Sequence, residues 1–323
     1  MPEFDKPHVV ILGAGASKAA FPEGDAIGNI VPVMNELTKA ANLKRFFEHR
    51  DMEDIPDNFE ELYSRIFAEG DKKLLEILEF DVWQYFAGMV MPTTPTLYDH
   101  LMISLRDKDL IATFNWDPFL IEARQRSRNV KSLPHLVFLH GCTRIGYCQA
   151  HNEYGVIASR CPVCNKFIEP IRLLYPVLEK DYNQNVFIKG QWTILERYLQ
   201  DACILTIFGY GAPTTDVEAV ALMKKAWGPV EKRSLEQIEI IDIKGEDELR
   251  ESWKQFIHTG HCETKRSFYE SYIARFPRRS GEAFKAQFMD AEFISGLNYP
   301  KTASWDELDR IYDPLFKEES SGR

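Results

Sequence analysis

Five short apolar, β-branched runs punctuate the first three quarters of the chain: His8 to Leu12, Leu110 to Phe114, Leu136 to Leu139, Cys203 to Phe208 and Ile238 to Ile243. Runs this short, apolar on both alternations and bounded by glycine or polar residues, fit strands buried on both faces. The stretches between them are long enough for crossover helices, so the pattern predicts a Rossmann-like, doubly wound parallel sheet of the α/β class. Between the first two runs, helical spacing recurs in Phe59-Leu62-Tyr63-Ile66-Phe67 and in Leu74-Leu75-Leu78-Val82-Tyr85. That stretch, about residues 20–105, reads as an inserted helical layer whose apolar faces are core. After Gly245 the pattern is amphipathic and helical with no further strand, and Phe276 to Gly281 marks a loop inside it. The expected organisation is a domain over 1–245 and a C-terminal helical extension over 246–323, attached as an appendage.

Composition narrows the classes. The 323 residues carry 39 Lys plus Arg against 49 Asp plus Glu, a net charge of −10, which argues against a broad nucleic-acid footprint. No apolar run approaches the ~18 residues that span a bilayer, and the N-terminus lacks the layout of a secretory signal, so a cytoplasmic protein is expected with no membrane partner. In that compartment clustered cysteines point to metal ligation rather than disulfides. Cys148-x2-His151 and Cys161-x2-Cys164 form two knuckles whose four donors suit a structural Zn2+ in a small module over about 142–176. Cys142 could replace His151 in that set. Cys203 reads as buried filler.

Three strand ends carry candidate chemistry. Gly13-Ala14-Gly15-Ala16-Ser17 follows the first run and opens a helix, a geometry that lets backbone N–H groups approach a diphosphate. The third glycine of the dinucleotide fingerprint is absent, because Lys18 stands there. The second run ends in Thr113-Phe114-Asn115-Trp116-Asp117-Pro118, where Asn115 and Asp117 can face one cleft, although Asp117 before Pro118 is also a good helix cap. The third ends in Leu139-His140-Gly141, with an imidazole at the mouth of the same crevice. Gly209-Tyr210-Gly211 to Asp216 repeats the strand-to-glycine-turn theme, and Asp242 closes the fifth run.

In this order, GAGAS, TFNWD, LHG, YCQAH to CPVC, and FGYGAPTTD resemble the sirtuin-type NAD-binding domain over about residues 5 to 245. The resemblance implies NAD+ as substrate. It assigns Gly13, Ala14, Gly15, Ala16 and Ser17 to the NAD diphosphate, Asn115 and Asp117 to the nicotinamide end, and His140 to the role of catalytic base. It extends the cofactor-facing set to Asp25, Thr113, Gly209, Tyr210, Thr215, Asp216 and Asp242. It also places a zinc module after the histidine, here with His151 where the family usually has a fourth cysteine.

Departures from the protein-deacylating sirtuins shift the expected activity. Phe21-Pro22-Glu23-Gly24-Asp25 lacks their Phe-Arg element, Phe114 replaces the Gln before the Asn, and Leu173 to Glu179 does not reproduce their F-G-E-type loop. These changes look more like the bacterial sirtuin-like effectors of antiphage defence, which hydrolyse NAD+, a branch that often lacks the zinc module. The implied function is an NAD+ hydrolase releasing nicotinamide and ADP-ribose. The alternatives are an NAD-dependent deacylase or ADP-ribosyltransferase, and a non-catalytic module that binds NAD or ADP-ribose. Since unrestrained NAD hydrolysis would be toxic, homo-oligomerisation or an activating partner protein are the expected controls.

Overall fold

A computed structural model describes residues 4–48, 54–175, 186–211, 216–257 and 261–321. The predicted runs become strands β1 (His8–Leu12), β2 (Leu110–Thr113), β3 (His135–Phe138), β7 (Ile204–Phe208) and β8 (Gln237–Ile241). Between β3 and β7 lie three further short strands, β4 (Ile145–Cys148), β5 (Glu153–Val156) and β6 (Glu169–Pro170). A ninth strand, β9 (Cys262–Lys265), falls in the C-terminal segment that was expected to be helical. It pairs in parallel with β8 from Ile238↔Cys262 to Ile241↔Lys265. The main sheet is six-stranded in the order β3-β2-β1-β7-β8-β9, and all of its pairings are parallel. This is the doubly wound arrangement, whose strand order reverses beside β1, so the crevice at the carboxyl ends of β1 and β7 is where such sheets bind ligands.

Helices α1 (Ala14–Ala20), α2 (Met34–Ala40), α3 (Phe59–Glu69), α4 (Lys72–Ala87) and α5 (Leu97–Ser104) fill the interval between β1 and β2. The apolar stripes read from the sequence are the buried faces: Phe59, Leu62, Tyr63 and Ile66 on α3, and Leu74, Leu75, Leu78 and Val82 on α4. Asn58 and Asp71 cap these two helices by accepting from the N–H groups of Glu61 and Leu74. α5 is buried along its whole length and opens with a capping box between Thr96 and Asp99. It packs with α1 and with α6 (Phe119–Arg126), whereas α7 (Val186–Asp201) packs on β2, β3 and α8 (Val217–Trp227). The small antiparallel sheet β5-β4-β6 stands apart as the zinc-type module.

The chain after β8 is tied into the sheet through polar groups as well as packing. It forms α9 (Glu246–Trp253), β9, α10 (Tyr272–Arg275), α11 (Ser280–Phe288) and α12 (Trp305–Ser320). The fully buried His8 ring bridges Ser280 Oγ of α11 at 2.8 Å and Thr206 Oγ1 of β7 at 2.7 Å. Thr206 in turn donates to Glu239, which also accepts from the Tyr272 N–H of α10. Burial lowers the His8 pKa to about 3, with Lys108 adding to the effect, and raises Glu239 to about 7. Arg278, 3% exposed, lies in the loop flagged at 276–281 and donates to the carbonyls of Ile103 and Leu105 at the end of α5. A guanidinium there meets both the orphan carbonyls and the negative end of the helix dipole.

Candidate functional site

The glycine turn is shaped by contact with the loop after β7. Gly15 N–H donates to the Gly209 carbonyl at 3.0 Å, and Gly13 N–H donates to the Phe208 carbonyl at 3.0 Å. A Cβ at Gly13 would lie 2.5 Å from Gly209 O, and one at Gly209 would lie 2.2 Å from Ala16 N. Gly209 also has φ +60. Backbone presses on backbone, so glycine is required at these positions for space, and at Gly209 for conformation as well. The amides of Gly13 and Gly15, and that of Ala16, which reaches the Gly13 carbonyl, are therefore already paired within the protein.

Three polar side chains meet beneath this turn. Ser17 of α1 donates to Asp117 Oδ2 at 2.6 Å. The Asn115 amide nitrogen donates to the Gly13 carbonyl and to Ser17 Oγ, both at 2.8 Å. A carbonyl can only accept, which fixes the amide nitrogen on that side and turns Oδ1 the other way. Thr113 Oγ1 accepts the Asn115 N–H at 3.0 Å and holds the bend after β2. Asp117 caps α6 through the Phe119 N–H at 3.3 Å, so the capping reading and the cleft reading of this residue both describe its geometry. Burial raises its carboxyl to about 6, against the lowering effect of the Ser17 and Phe119 hydrogen bonds.

His140 stands at the end of β3, with the Phe114 ring edge-on at 4.8 Å. Phe114 stacks on Tyr210 at 4.1 Å with planes 10° apart, and the Tyr210 hydroxyl donates to Asp216 at 3.0 Å. This stack covers the strand ends. Asn115, Asp117 and His140 are 9%, 4% and 6% exposed, a closed state of the crevice.

Other residues expected to face a ligand have different positions. Asp25 is occupied by four donors: the N–H groups of Ile27, Asn29 and Val90, and the Asn29 side-chain amide. Burial raises its pKa, but the Val90 and Asn29 donors outweigh it and hold the carboxyl below its usual value. Its lone pairs are used to fold the loop, which corrects its reading as a cofactor contact. Asp242 ends β8, half-buried, with one oxygen accepting the Lys244 N–H. Thr215 lies outside the described residues. Tyr98, absent from the expected set, reaches Ser17 Oγ at 2.7 Å and Asn115 Nδ2 at 3.3 Å. Its only local signal is the preceding Thr96/Asp99 capping box, which sets the first turn of α5.

The metal-type donors converge as the spacing predicted. The ligand atoms of Cys148, His151, Cys161 and Cys164 all lie within 4.8 Å of one another. Tetrahedral zinc with bonds of about 2.3 Å to sulfur and 2.0–2.1 Å to nitrogen would place sulfurs about 3.8 Å apart, and sulfur about 3.6 Å from nitrogen. The Cys148–Cys164 sulfur separation is 3.7 Å, and His151 Nδ1 lies 3.6 Å from Cys148 and 3.8 Å from Cys161. Each knuckle ends on an asparagine with positive φ, Asn152 at 53° and Asn165 at 58°. The Cys164 N–H leads the influences that lower the Cys161 thiol to about 7, favouring the thiolate a metal needs. Cys142 is not part of this cluster. It is fully buried with its thiol on the Asp117 carbonyl at 3.3 Å, and burial pushes its pKa up to about 12. The donor set therefore fits zinc with His151, and four protein ligands leave it a structural role.

No family model matches the chain, and no curated protein does. Among solved structures, a Sir2 homologue in complex with NAD is 14% identical, with 86% of this chain and 91% of that one covered and a TM-score of 0.44. A Sir2 enzyme from a study of mechanism and regulation is 13% identical, covering 87% and 94%, with a TM-score of 0.39. A Sir2 complex with an inhibitor, 2'-O-acetyl-ADP-ribose and a deacetylated peptide is 15% identical, covering 87% and 94%, with a TM-score of 0.38. Scores of this size describe a loose superposition.

Proposed function

We propose that this protein is a sirtuin-like NAD+ hydrolase, cleaving NAD+ with water to nicotinamide, ADP-ribose and a proton. The observation that carries this reading is the meeting of Ser17, Asn115 and Asp117 at the carboxyl ends of β1 and β2, with His140 at the end of β3. Ligands of open parallel sheets bind beyond those ends. The dinucleotide would lie along residues 13–17, 113–117, 140 and 209–216, entering as the Tyr210 ring leaves Phe114.

Leaving-group departure from the ribose gives an oxocarbenium-like centre, which needs orientation and negative character more than a strong nucleophile. Asn115 Oδ1, turned away from the groups that hold Nδ2, accepts from a ribose hydroxyl or the attacking water. Asp117 accepts from the nicotinamide carboxamide. His140 takes a proton from water or from a ribose hydroxyl as general base. Such an activity could serve as an antiphage-defence effector in the cytoplasm, held in check by assembly or by a partner.

The test is nicotinamide release from NAD+ by purified protein and by Asn115→Ala and His140→Ala. Each variant should lose on the order of 10²-fold in rate while remaining folded. Wild-type rates retained in both would remove these residues from the chemistry and the reading with them.

A further inference from the structure

The donor and acceptor capacities around Ser17 settle the direction of a hydrogen-bond chain that begins outside the site described so far. Tyr98 is 1% exposed, its ring held edge-on by Phe21 at 6.0 Å and its hydroxyl placed against Ser17 and Asn115. Asn115 Nδ2 has protons to give and nothing to accept with. An ionised Asp117 only accepts, so the single Ser17 proton goes to Oδ2 across 2.6 Å. Ser17 then offers only lone pairs. Asn115 fills one of them, so across 2.7 Å Tyr98 must be the donor. The phenol is printed with no other acceptor among the described residues. The chain runs one way, from Tyr98 to Ser17 to Asp117, and reversing it would strand a buried phenol proton, which is costly.

We propose that Tyr98 is a positioning residue that, acting through Ser17, keeps Asp117 in its ionised, accepting form and fixes Asn115 with Oδ1 toward the ligand. This rests on the roles proposed above for Asn115 and Asp117. Asp117 needs such support. The ionisable groups that bear on it are Tyr98 from α5, the neutral Cys142 thiol from the loop after β3 and Glu122 from α6, and none brings a positive charge. Burial alone favours the protonated acid, which could not accept from a carboxamide at the same oxygen. A donor into Ser17 polarises its O–H toward Asp117 and works against that tendency.

The test pairs a pH profile with a stability cycle. Tyr98→Phe keeps the ring and removes the donor. It should move the acid limb of kcat for nicotinamide release upward by about one pH unit, giving about a tenfold loss near pH 6 and under about threefold near pH 8.5, with KM for NAD+ within about threefold of wild type. A loss uniform across pH, or one carried by KM alone, overturns the proposal.

The second arm needs no turnover: urea unfolding of wild type, Tyr98→Phe, Asp117→Asn and the double variant at about pH 5.5 and pH 8. Because Asp117 titrates higher folded than unfolded, its ionisation costs stability as pH rises. Tyr98→Phe should enlarge that cost in the wild-type background and show no pH-dependent effect beside Asp117→Asn. An effect of equal size and pH dependence in both backgrounds overturns the proposal. If wild type releases no nicotinamide, the functional reading fails while this cycle still decides the role of Tyr98.

Discussion

Replacing Gly209 with alanine probes the junction that shapes the candidate site. The residue has φ +60, and its added Cβ would stand 2.2 Å from Ala16 N, 2.4 Å from Gly15 C and 2.7 Å from Gly15 Cα. All three neighbours are backbone, so no flexible side chain can move aside. The left-handed conformation alone costs an alanine about 1–2 kcal/mol. Relieving the overlap means separating the two loops by about an ångström, which breaks the Gly15 to Gly209 hydrogen bond and adds about 1 kcal/mol plus residual strain. A total on the order of 3–4 kcal/mol follows. Gly70 is the control. It also has positive φ, at +75, but nothing lies within 4 Å of its would-be Cβ. Gly70→Ala should cost about 1–2 kcal/mol by conformation alone. Urea unfolding of both variants measures the difference, and Gly209→Ala proving no worse than Gly70→Ala would refute the reasoning that the two loops are locked.

Three further outcomes are expected. Protein purified without chelator should carry one zinc per chain by elemental analysis, lost in Cys161→Ser plus Cys164→Ser and in His151→Ala but kept in Cys142→Ser; metal retained by the double variant would contradict the assigned ligands. His8 binds its proton near pH 3 when folded and near 6.5 when unfolded. The unfolded state therefore takes up more protons between these values, and stability is full above about 6.5 and falls as pH drops toward 3, by on the order of a few kcal/mol from this group. His8→Gln should flatten that part of the pH–stability curve, and an unchanged slope would show that His8 does not carry it.

The strands were legible for a physical reason. β1, β7 and β8 are covered on both faces, so both alternations are apolar and each reads as a continuous run, with ends displaced by only a residue or two. β9 was not legible, because Cys-Glu-Thr-Lys at a sheet edge is half exposed and carries two charges, a pattern that also fits loop. The knuckles were visible because ligand spacing is local. His151 over Cys142 was settled only by the fold, which draws Cys142 into the core beside Asp117. Asp25 looked like a ligand-facing acid, since nothing local shows that Val90, 65 positions away, supplies one of its donors. Tyr98 was hidden likewise, its partners Ser17 and Asn115 lying far off in sequence on other elements. Residues at strand ends announce their neighbourhood through topology, whereas the groups that orient them come from distant helices.

The central claim is that water suffices as the acceptor for the ADP-ribosyl group. Incubating the purified full-length protein with NAD+ and quantifying nicotinamide and ADP-ribose, with and without an acetylated lysine peptide, tests it directly. The account predicts nicotinamide and ADP-ribose in equal amounts at a rate the peptide does not change. Nicotinamide release that requires the peptide and yields an acetylated ADP-ribose product would contradict it and identify a deacylase.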